Sequence, residues 1–373
     1  MSYAVGPAFI SHFRHLSGVI AIRSIALLLV ATFAGCLPWQ HQQERHSECQ
    51  PPDERQAKAF ARGENVPVPI IFDTDFAPDV DDVGALAILH ALADQGEASI
   101  LGVVISSGNT YAARAVDTIN TYYGRPDIPI GITWNPTVTT DSPYTMALAL
   151  DFPNDIQAGW SSIVPEAVEV YRQLLATQHD QSVTIVSVGF LTNLRDLLNS
   201  EPDEISNMSG RELVVAKVAR LVVMGGHYPD SAFHPDGAEY NFVMDTEATY
   251  AVVTQWPTPI IFSGFELGVD IKTGAVLQQT PPENPVRRAY ELYTGGSARS
   301  SWDLTAVHYA VRGSAGGYQL CAGGSNNVSI DGHNRWDTSV LKPQAYLSNS
   351  ITKEEIKNVL DDLLVQPPRS FAP

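Results

Sequence analysis

Residues 69–89 read PIIFDTDFAPDVDDVGALAIL, and this stretch decides the fold class. An apolar run ends abruptly in acidic residues, and a segment with apolar residues at helical spacing follows at once. The pattern predicts a buried parallel strand, an acidic loop at its carboxyl end, and then a helix. The loop and the first helical turn together hold five carboxylates: Asp73, Asp75, Asp79, Asp81 and Asp82.

The density of carboxylates in this loop predicts a metal site. Asp81 or Asp82 can cap the helix, because a carboxylate accepts hydrogen bonds from free backbone N–H groups and suits the positive end of the helix dipole. Capping does not account for all five, since like charges this close repel one another. A hard divalent cation with oxygen ligands would neutralise them. The alternative is an acidic loop that is simply solvated.

The rest of the chain alternates between two patterns. Short, almost wholly apolar runs predict strands buried on both faces, at 68–74, 99–106, 128–133, 183–188, 219–225 and 259–264. Amphipathic segments predict helices at 82–96, 110–124, 164–179, 191–200, 245–256 and 286–295. This alternation predicts an α/β fold with an open, mostly parallel, doubly wound sheet and helices on both faces. In such sheets, ligands bind beyond the carboxyl ends of the strands.

The amino-terminal region is typical of a targeting segment. Arg23 precedes an apolar run that is too short to span a bilayer and ends in Phe-Ala-Gly-Cys36. Residues 1–36 are therefore interpreted as a lipoprotein-type signal with Cys36 as the lipidated residue, 37–66 as a polar linker, and 67–373 as the folded domain. The prediction is an exported periplasmic or cell-envelope lipoprotein that contacts the membrane only through this anchor. An ordinary secretory signal or a membrane-anchoring helix is the alternative.

Charge and cysteine content narrow the function classes. The net charge of −18 and the lack of any Lys/Arg run argue against a nucleic-acid partner. No Cys/His spacing typical of a zinc site is present. Besides Cys36, the chain has Cys49 and Cys321, which would pair in an oxidising compartment or remain free thiols; the sequence leaves both open.

Further polar side chains follow the other predicted strands. Gly108-Asn109 comes after the second strand, where Asn109 is also a good helix cap. The later strand ends carry Gly-Phe-Leu-Thr-Asn at 189–193, Met-Gly-Gly at 224–226, Glu239-x-Asn241, and Trp302-Asp303. His227, His234 and Glu266 also follow strands and are weaker candidates, because loop side chains of these types are often merely exposed.

Taken in order over residues 68–310, these motifs resemble the calcium-dependent, inosine/uridine-preferring nucleoside hydrolases. The resemblance implies a Ca²⁺ site formed by Asp75, Asp82, the backbone carbonyl of Val188, and Asp303. It also implies that Asp75 is the catalytic base, with Asp81 as a catalytic neighbour that binds a hydroxyl. The substrate-binding residues that it implies are Asn109, Glu239 and Asn241, and we add His227 and Trp302 as candidates for the pocket.

This chain departs from the family pattern in two places. The loop between the second Asp and the Asp-Asp pair is two residues longer and carries the extra Asp79. Trp302 stands where the family has a His that helps to protonate the leaving base. A tryptophan cannot donate that proton, but it can stack on a base.

The implied reaction is hydrolysis of the N-glycosidic bond of a ribonucleoside to base and ribose with a calcium-bound water, in a homodimer or homotetramer. Two alternatives remain at this stage. A riboside-binding protein would keep the metal–sugar site without catalysis, and Trp302 suits it equally well. A haloacid-dehalogenase-type phosphatase is a remote alternative that depends only on the Asp-Thr-Asp run at 73–75. A dinucleotide-binding enzyme is disfavoured, because the first turn is acidic and lacks the glycine-rich pattern.

Overall fold

The computed structural model describes residues 49–60, 67–156, 164–230 and 237–369. The predicted targeting segment 1–36 and His234 lie outside these ranges. Within them, no helix is long and apolar enough to cross a membrane.

Twelve strands occur in the part of the chain that the structure describes. In chain order they are β1 (Val68–Thr74), β2 (Ala98–Ile105), β3 (Ile130–Ile132), β4 (Val183–Ser187), β5 (Val218–Met224), β6 (Ile260–Ser263), β7 (Lys272–Thr273), β8 (Arg299–Ser300), β9 (Tyr318–Cys321), β10 (Ser325–Val328), β11 (Asn334–Asp337) and β12 (Gln344–Asn349). Eight of them form the central sheet, in the order β3-β2-β1-β4-β5-β6-β12-β9. All neighbouring pairs of this sheet are parallel except β12 with β9, which are antiparallel.

The helices lie in two layers against this sheet. They are α1 (Glu54–Phe60), α2 (Asp81–Asp94), α3 (Ala112–Tyr122), α4 (Thr145–Asp151), α5 (Ala167–Ala176), α6 (Thr192–Asn199), α7 (Gly210–Lys217), α8 (Tyr240–Met244), α9 (Thr246–Gln255), α10 (Phe265–Gly268), α11 (Pro285–Thr294), α12 (Trp302–Arg312) and α13 (Lys353–Leu364). One apolar core contains side chains of α2, α3, α11, α12 and α13. The other contains side chains of α5, α6, α7 and α9.

Alternation along β1 shows why its sequence is apolar throughout. Ile70 and Phe72 pack in the first core, whereas Ile71 between them packs in the second. Successive side chains of a strand point to opposite faces, so a strand covered by helices on both sides needs apolar residues at every position. The predicted fold class is confirmed, and the six predicted strands and six predicted helices are present with ends shifted by at most three residues.

The carboxyl-terminal part holds most of the structure that the sequence analysis did not predict. β12 enters the sheet beside β6, and β9 pairs with it at the edge. β10 and β11 form a separate antiparallel pair. The last helix, α13, begins after Thr352, which forms a reciprocal capping box with Glu355.

Part of the segment interpreted as a linker is ordered. It contains α1, whose last residue, Phe60, is buried in the first core. Cys49 forms a disulfide with Cys321 in β9, with the two Cα atoms 4.7 Å apart. Of the two alternatives for these cysteines, the structure shows the pair. This disulfide ties the amino-terminal end of the described chain to the edge strand of the sheet.

We expect loss of this disulfide to lower the free energy of unfolding by about 2–5 kcal/mol, because it closes a very long loop and so restricts the unfolded chain. Thermal unfolding with and without reductant measures this. The Cys49→Ser/Cys321→Ser double variant should unfold at the temperature of the reduced wild type and should not respond to reductant. Equal melting temperatures for oxidised and reduced wild type would contradict the expectation.

Candidate active site

Four carboxylates meet where β1 and two helices come together. Asp75 directly follows β1, Asp81 and Asp82 form the first turn of α2, and Asp303 lies in the first turn of α12. One carboxylate oxygen from each of Asp81, Asp82 and Asp303 lies within 4.8 Å of the others. Because β1 and β4 are adjacent and their onward connections run to opposite faces of the sheet, this is also the point at which doubly wound sheets bind ligands.

Hydrogen bonds fix two of these carboxylates. Asp82 Oδ1 accepts two hydrogen bonds, one from the Thr74 hydroxyl and one from the backbone N–H of Phe76 at 3.3 Å. Asp81 Oδ2 accepts the backbone N–H of Asp303 at 3.2 Å. The sequence places Thr74 and Phe76 one residue on either side of Asp75, so the strand end itself orients the helix that carries the Asp pair.

The electrostatics of the cluster require a partner cation. Burial, and then repulsion from neighbouring carboxylates, raises the pKa values of Asp75, Asp81 and Asp303 well above the ordinary range. Burial is also the main cause that raises the pKa of Asp82 to about 7. Four carboxyl groups that lose water and face one another stay ionised together only when positive charge is bound among them. The donor set is all oxygen, which fits a hard divalent ion such as Ca²⁺.

The residues that follow β4 lie close to the acidic loop. Val188 lines the same cavity as the four carboxylates, and its carbonyl accepts a hydrogen bond from Asn241 Nδ2 at 3.0 Å. The next residue, Gly189, passes so close to the end of β1 that a Cβ atom would lie 2.4 Å from the backbone N of Asp75. Only glycine permits this approach.

The cluster lines a cavity of about 400 Å³. The sugar-binding candidates Glu239 and Asn241 line it as well. Glu239 also caps α8, because its carboxylate accepts the backbone N–H groups of Gly226, Asn241 and Phe242 at 3.0–3.2 Å. These hydrogen bonds hold the Glu239 side chain in place at the cavity wall.

An aromatic wall also lines the cavity. It consists of Phe265, Tyr293 and Trp302, with the rings of Phe265 and Trp302 5.3 Å apart. The Trp302 indole N–H is already used, since it donates to the backbone carbonyl of Phe265 at 3.0 Å. Trp302 thus lines the cavity while its one polar hydrogen is bonded within the protein.

Two predicted substrate-binding residues do not line this cavity. The Asn109 side chain donates to Thr140 O at 2.8 Å and accepts from the Tyr111 N–H and the Thr145 hydroxyl, so it holds a loop, much as the capping alternative expects. His227 lies behind Phe265, with ring centres 5.0 Å apart, and its Nδ1 contacts Glu266 Oε1 at 2.8 Å.

The other two carboxylates of the acidic loop stand apart from the four. Asp73 Oδ2 is held by the Tyr171 hydroxyl at 2.7 Å and by Asn193 Nδ2 at 3.3 Å. Asp79 forms an ion pair with Arg299. The hypothesis that one cation neutralises all five carboxylates is thus too broad. Three of them lie together with Asp303, whereas Asp73 is hydrogen-bonded by uncharged groups and Asp79 is neutralised by an arginine of the protein.

Four further residues line the cavity that no sequence pattern indicated, namely Phe265, Tyr240, Tyr293 and Arg299. Tyr293 lies at the end of α11 and Arg299 in the short strand β8, both distant in sequence from the acidic loop. A signal was available for Arg299, since the extra Asp79 in a buried loop needs a nearby cation. Nothing in the sequence indicates which arginine supplies it.

Comparison with known proteins assigns the family. A model of the inosine-uridine preferring nucleoside hydrolases matches residues 70–322, which is more than half of the chain. The chain therefore belongs to this family. The pyrimidine-specific ribonucleoside hydrolase RihA of Klebsiella pneumoniae is 30% identical over 208 residues, which cover 54% of this chain and 61% of that protein. The aligned part thus spans about three fifths of the relative's length.

Solved structures share the fold. The inosine-uridine preferring nucleoside hydrolase from Bacillus anthracis superimposes with a TM-score of 0.58 at 15% identity, covering 80% of this chain and 99% of its own. The purine-preferring ribonucleoside hydrolase from Gardnerella vaginalis gives a TM-score of 0.60 at 14% identity, covering 79% and 99%. The phosphatase alternative gains no support, because the Asp-Thr-Asp run falls inside the segment that matches the hydrolase family.

We expect the metal-free protein to lose stability as pH rises from 7 to 9. The buried carboxyls have folded pKa values above their unfolded ones, so the native state holds protons that the unfolded state has lost, and the free energy of unfolding falls by at least about 1 kcal/mol. The prediction starts at pH 7 because two buried histidines have the opposite effect at lower pH. Burial lowers the pKa of His90 to about 3 and of His308 to about 4, so below pH 7 these residues make the free energy of unfolding rise with pH. Denaturant unfolding in a chelator measures the slope.

Asp303→Asn sharpens this test. In chelator at pH 9 the variant should be more stable than the wild type, because one of the facing charges is gone. It should also gain less stability than the wild type when calcium is added. Asp270→Asn, which removes an exposed carboxylate paired with Lys353, is the control and should follow the wild type. A wild-type stability in chelator that does not fall over this range would refute the account of the cluster.

Proposed function

We propose that this protein hydrolyses the N-glycosidic bond of ribonucleosides to give free base and ribose. The observation that carries the proposal is the combination, in one cavity, of four buried carboxylates with the aromatic wall. An acidic pocket stabilises the positive charge that develops on the sugar ring when a glycosidic bond breaks. The aromatic wall supplies flat apolar surface for a base. Family membership supports the same reaction class.

We propose Ca²⁺ as the cofactor. Asp75, Asp82, Asp303 and the Val188 carbonyl would hold it, and all four line the cavity. When bound, the ion would orient the sugar hydroxyls and increase the acidity of water.

The side chains of the protein supply the remaining functions. Asp75 would accept a proton from the attacking water, because its carboxylate lines the cavity together with the other three carboxylates. Asp81 would hold a sugar hydroxyl, with Glu239 and Asn241 on the far side of the ring. Since Glu239 and Asn241 are fixed by backbone contacts, the sugar would be positioned with little loss of side-chain entropy on binding.

A second candidate function is riboside binding without hydrolysis. The observation that favours it is the commitment of the Trp302 N–H to the Phe265 carbonyl, in a position where the family has a proton-donating histidine. A protein of this kind would keep the metal–sugar half of the site and the aromatic wall. Turnover distinguishes the two candidates.

We expect the purified protein with calcium to release free base from at least one natural nucleoside. Asp75→Asn and Asp303→Asn should each lower the rate about 10²- to 10⁴-fold, since one removes the base and the other a metal ligand. Chromatography of free base over a panel of nucleosides, with p-nitrophenyl riboside as an activated substrate, measures this.

Asp270→Asn is the matched control and should turn over as the wild type does. If only the activated riboside is cleaved, the protein activates water at the sugar, and its natural leaving group is not one of the bases in the panel. If no substrate is cleaved while ribosides still bind in the presence of calcium, the hydrolase proposal is wrong and the binding protein replaces it.

We further propose that the protein is exported and anchored through Cys36, with secretion as the alternative. The Cys49–Cys321 disulfide supports an oxidising compartment. In cells fed a labelled fatty acid, the wild type should carry label and Cys36→Ser should not. Labelling of Cys36→Ser at the level of the wild type, or the appearance of the wild type only in the cytoplasm, would contradict the proposal. The homodimer or homotetramer stays a prediction.

A further inference from the structure

One cation lines the cavity among the described residues, and it is Arg299. Six carboxylates line the same cavity, namely Asp75, Asp79, Asp81, Asp82, Glu239 and Asp303. Arg299 lies in β8, three residues before Trp302. A positive side chain thus stands next to the position where this chain lacks the histidine of its family pattern.

Its contacts hold Arg299 between the acidic loop and the aromatic wall. Nε lies 3.0 and 3.1 Å from the two carboxylate oxygens of Asp79, and Nη2 contacts Oδ2 as well. The guanidinium carbon is 5.1 Å from the ring centre of Trp302 and 5.6 Å from that of Tyr293. Such positions over an aromatic ring are attractive for a cation.

One edge of the guanidinium remains available. Nη1 donates no hydrogen bond to any residue that the structure describes, whereas Nε and Nη2 are both used by Asp79. The side chain is 35% exposed, so it is partly shielded from water and partly open. The pKa of Arg299 is raised, with Asp79 as the largest cause, so the group stays protonated throughout the neutral range.

We propose that Arg299 stabilises the leaving base by donating a hydrogen bond from Nη1 to it. This inference rests on the proposed function. When the bond between C1′ and the base nitrogen breaks, its electron pair stays on the base and spreads to a conjugated carbonyl oxygen. A fixed guanidinium donor aimed at that oxygen stabilises the negative charge.

The step needs no proton from Arg299. The oxygen of water forms the new bond to C1′, its proton passes to the Asp75 carboxylate, and the departing base later takes a proton from solvent. The substrate class is therefore a ribonucleoside whose base has a carbonyl oxygen conjugated with the glycosidic nitrogen. Arginine fits this role because it remains charged and presents several donors in one plane.

Asp79 is the positioning residue for Arg299. Its carboxylate holds the guanidinium, and its backbone carbonyl accepts the Tyr144 hydroxyl at 2.5 Å, which fixes the loop. Asp79 belongs to the part of the acidic loop that is longer than the family pattern. The longer loop and the missing histidine are then connected. The loop supplies Asp79, which holds Arg299, and Arg299 acts on the leaving base in place of the histidine.

Leaving-group dependence tests the proposal. The purified protein is assayed with calcium on the natural nucleoside that it cleaves fastest and on p-nitrophenyl riboside, whose leaving group is a stable anion without help. Arg299→Gln should lower kcat/KM at least 30-fold more for the nucleoside than for the activated riboside. Arg299→Lys, which keeps charge but loses the planar donors, should fall between. Asp79→Asn should shift the same ratio in the same direction.

Arg287→Gln is the matched control, because Arg287 also pairs with a carboxylate, Glu291 of α11, and does not line the cavity. Its ratio of the two rates should equal that of the wild type. Equal losses on both substrates in Arg299→Gln would overturn the proposal, since they would show that Arg299 only maintains the fold or the loop.

Binding separates this proposal from the proposed function. If the wild type cleaves neither substrate, the hydrolase proposal fails, and calorimetry with ribose and with a nucleoside in calcium then decides whether Arg299 contacts the base. A loss of at least tenfold in nucleoside affinity in Arg299→Gln, with unchanged ribose affinity, supports that contact. Equal affinities of wild type and variant for the nucleoside overturn it.

Discussion

The structure of the site depends on the burial of like charges at one corner of the sheet. Asp75, Asp81, Asp82 and Asp303 are each at most 4% exposed, and no described residue pairs with any of them as a cation. An arrangement of this kind is unfavourable for the protein alone. It persists because the strand end and two helix starts fix it through Thr74 and the Asp303 N–H. The fold therefore holds the ligands in advance, and a bound ion would recover the electrostatic cost.

This constraint explains which parts of the fold and the site could be predicted. The parallel strands are buried on both faces, so their sequences are continuous apolar runs that any window detects. The carboxylates of the cluster lie close together in sequence, apart from Asp303, and their density is visible without a structure. Such features can be predicted because the residues that burial or charge clustering constrains are neighbours in sequence.

Features that depend on contacts between residues far apart in sequence could not be predicted in this way. β9 is the edge strand and β12 lies next to it, and both carry polar residues, so they lack the apolar signature. Asn109 follows a strand as the family pattern expects, yet its side-chain amide is hydrogen-bonded to the Thr140 carbonyl and to the hydroxyl of Thr145 at the start of α4. Arg299 has no local pattern at all, since its partner Asp79 lies 220 positions earlier. Side-chain pairing over such distances is decided by the fold.

Different parts of the chain hold the carboxylates and the aromatic wall of the cavity. Asp75 follows β1, Asp81 and Asp82 begin α2, and Asp303 lies in the first turn of α12. In the aromatic wall, the N–H of Phe265 donates to Gly226 O in the loop beyond β5, where Asn334 of β11 bonds both the N–H and the carbonyl of His227. Tyr228 in that loop stacks on Tyr346 of β12 with ring centres 5.0 Å apart. Strands β11 and β12, which come late in the chain, thus hold the loop that contacts Phe265.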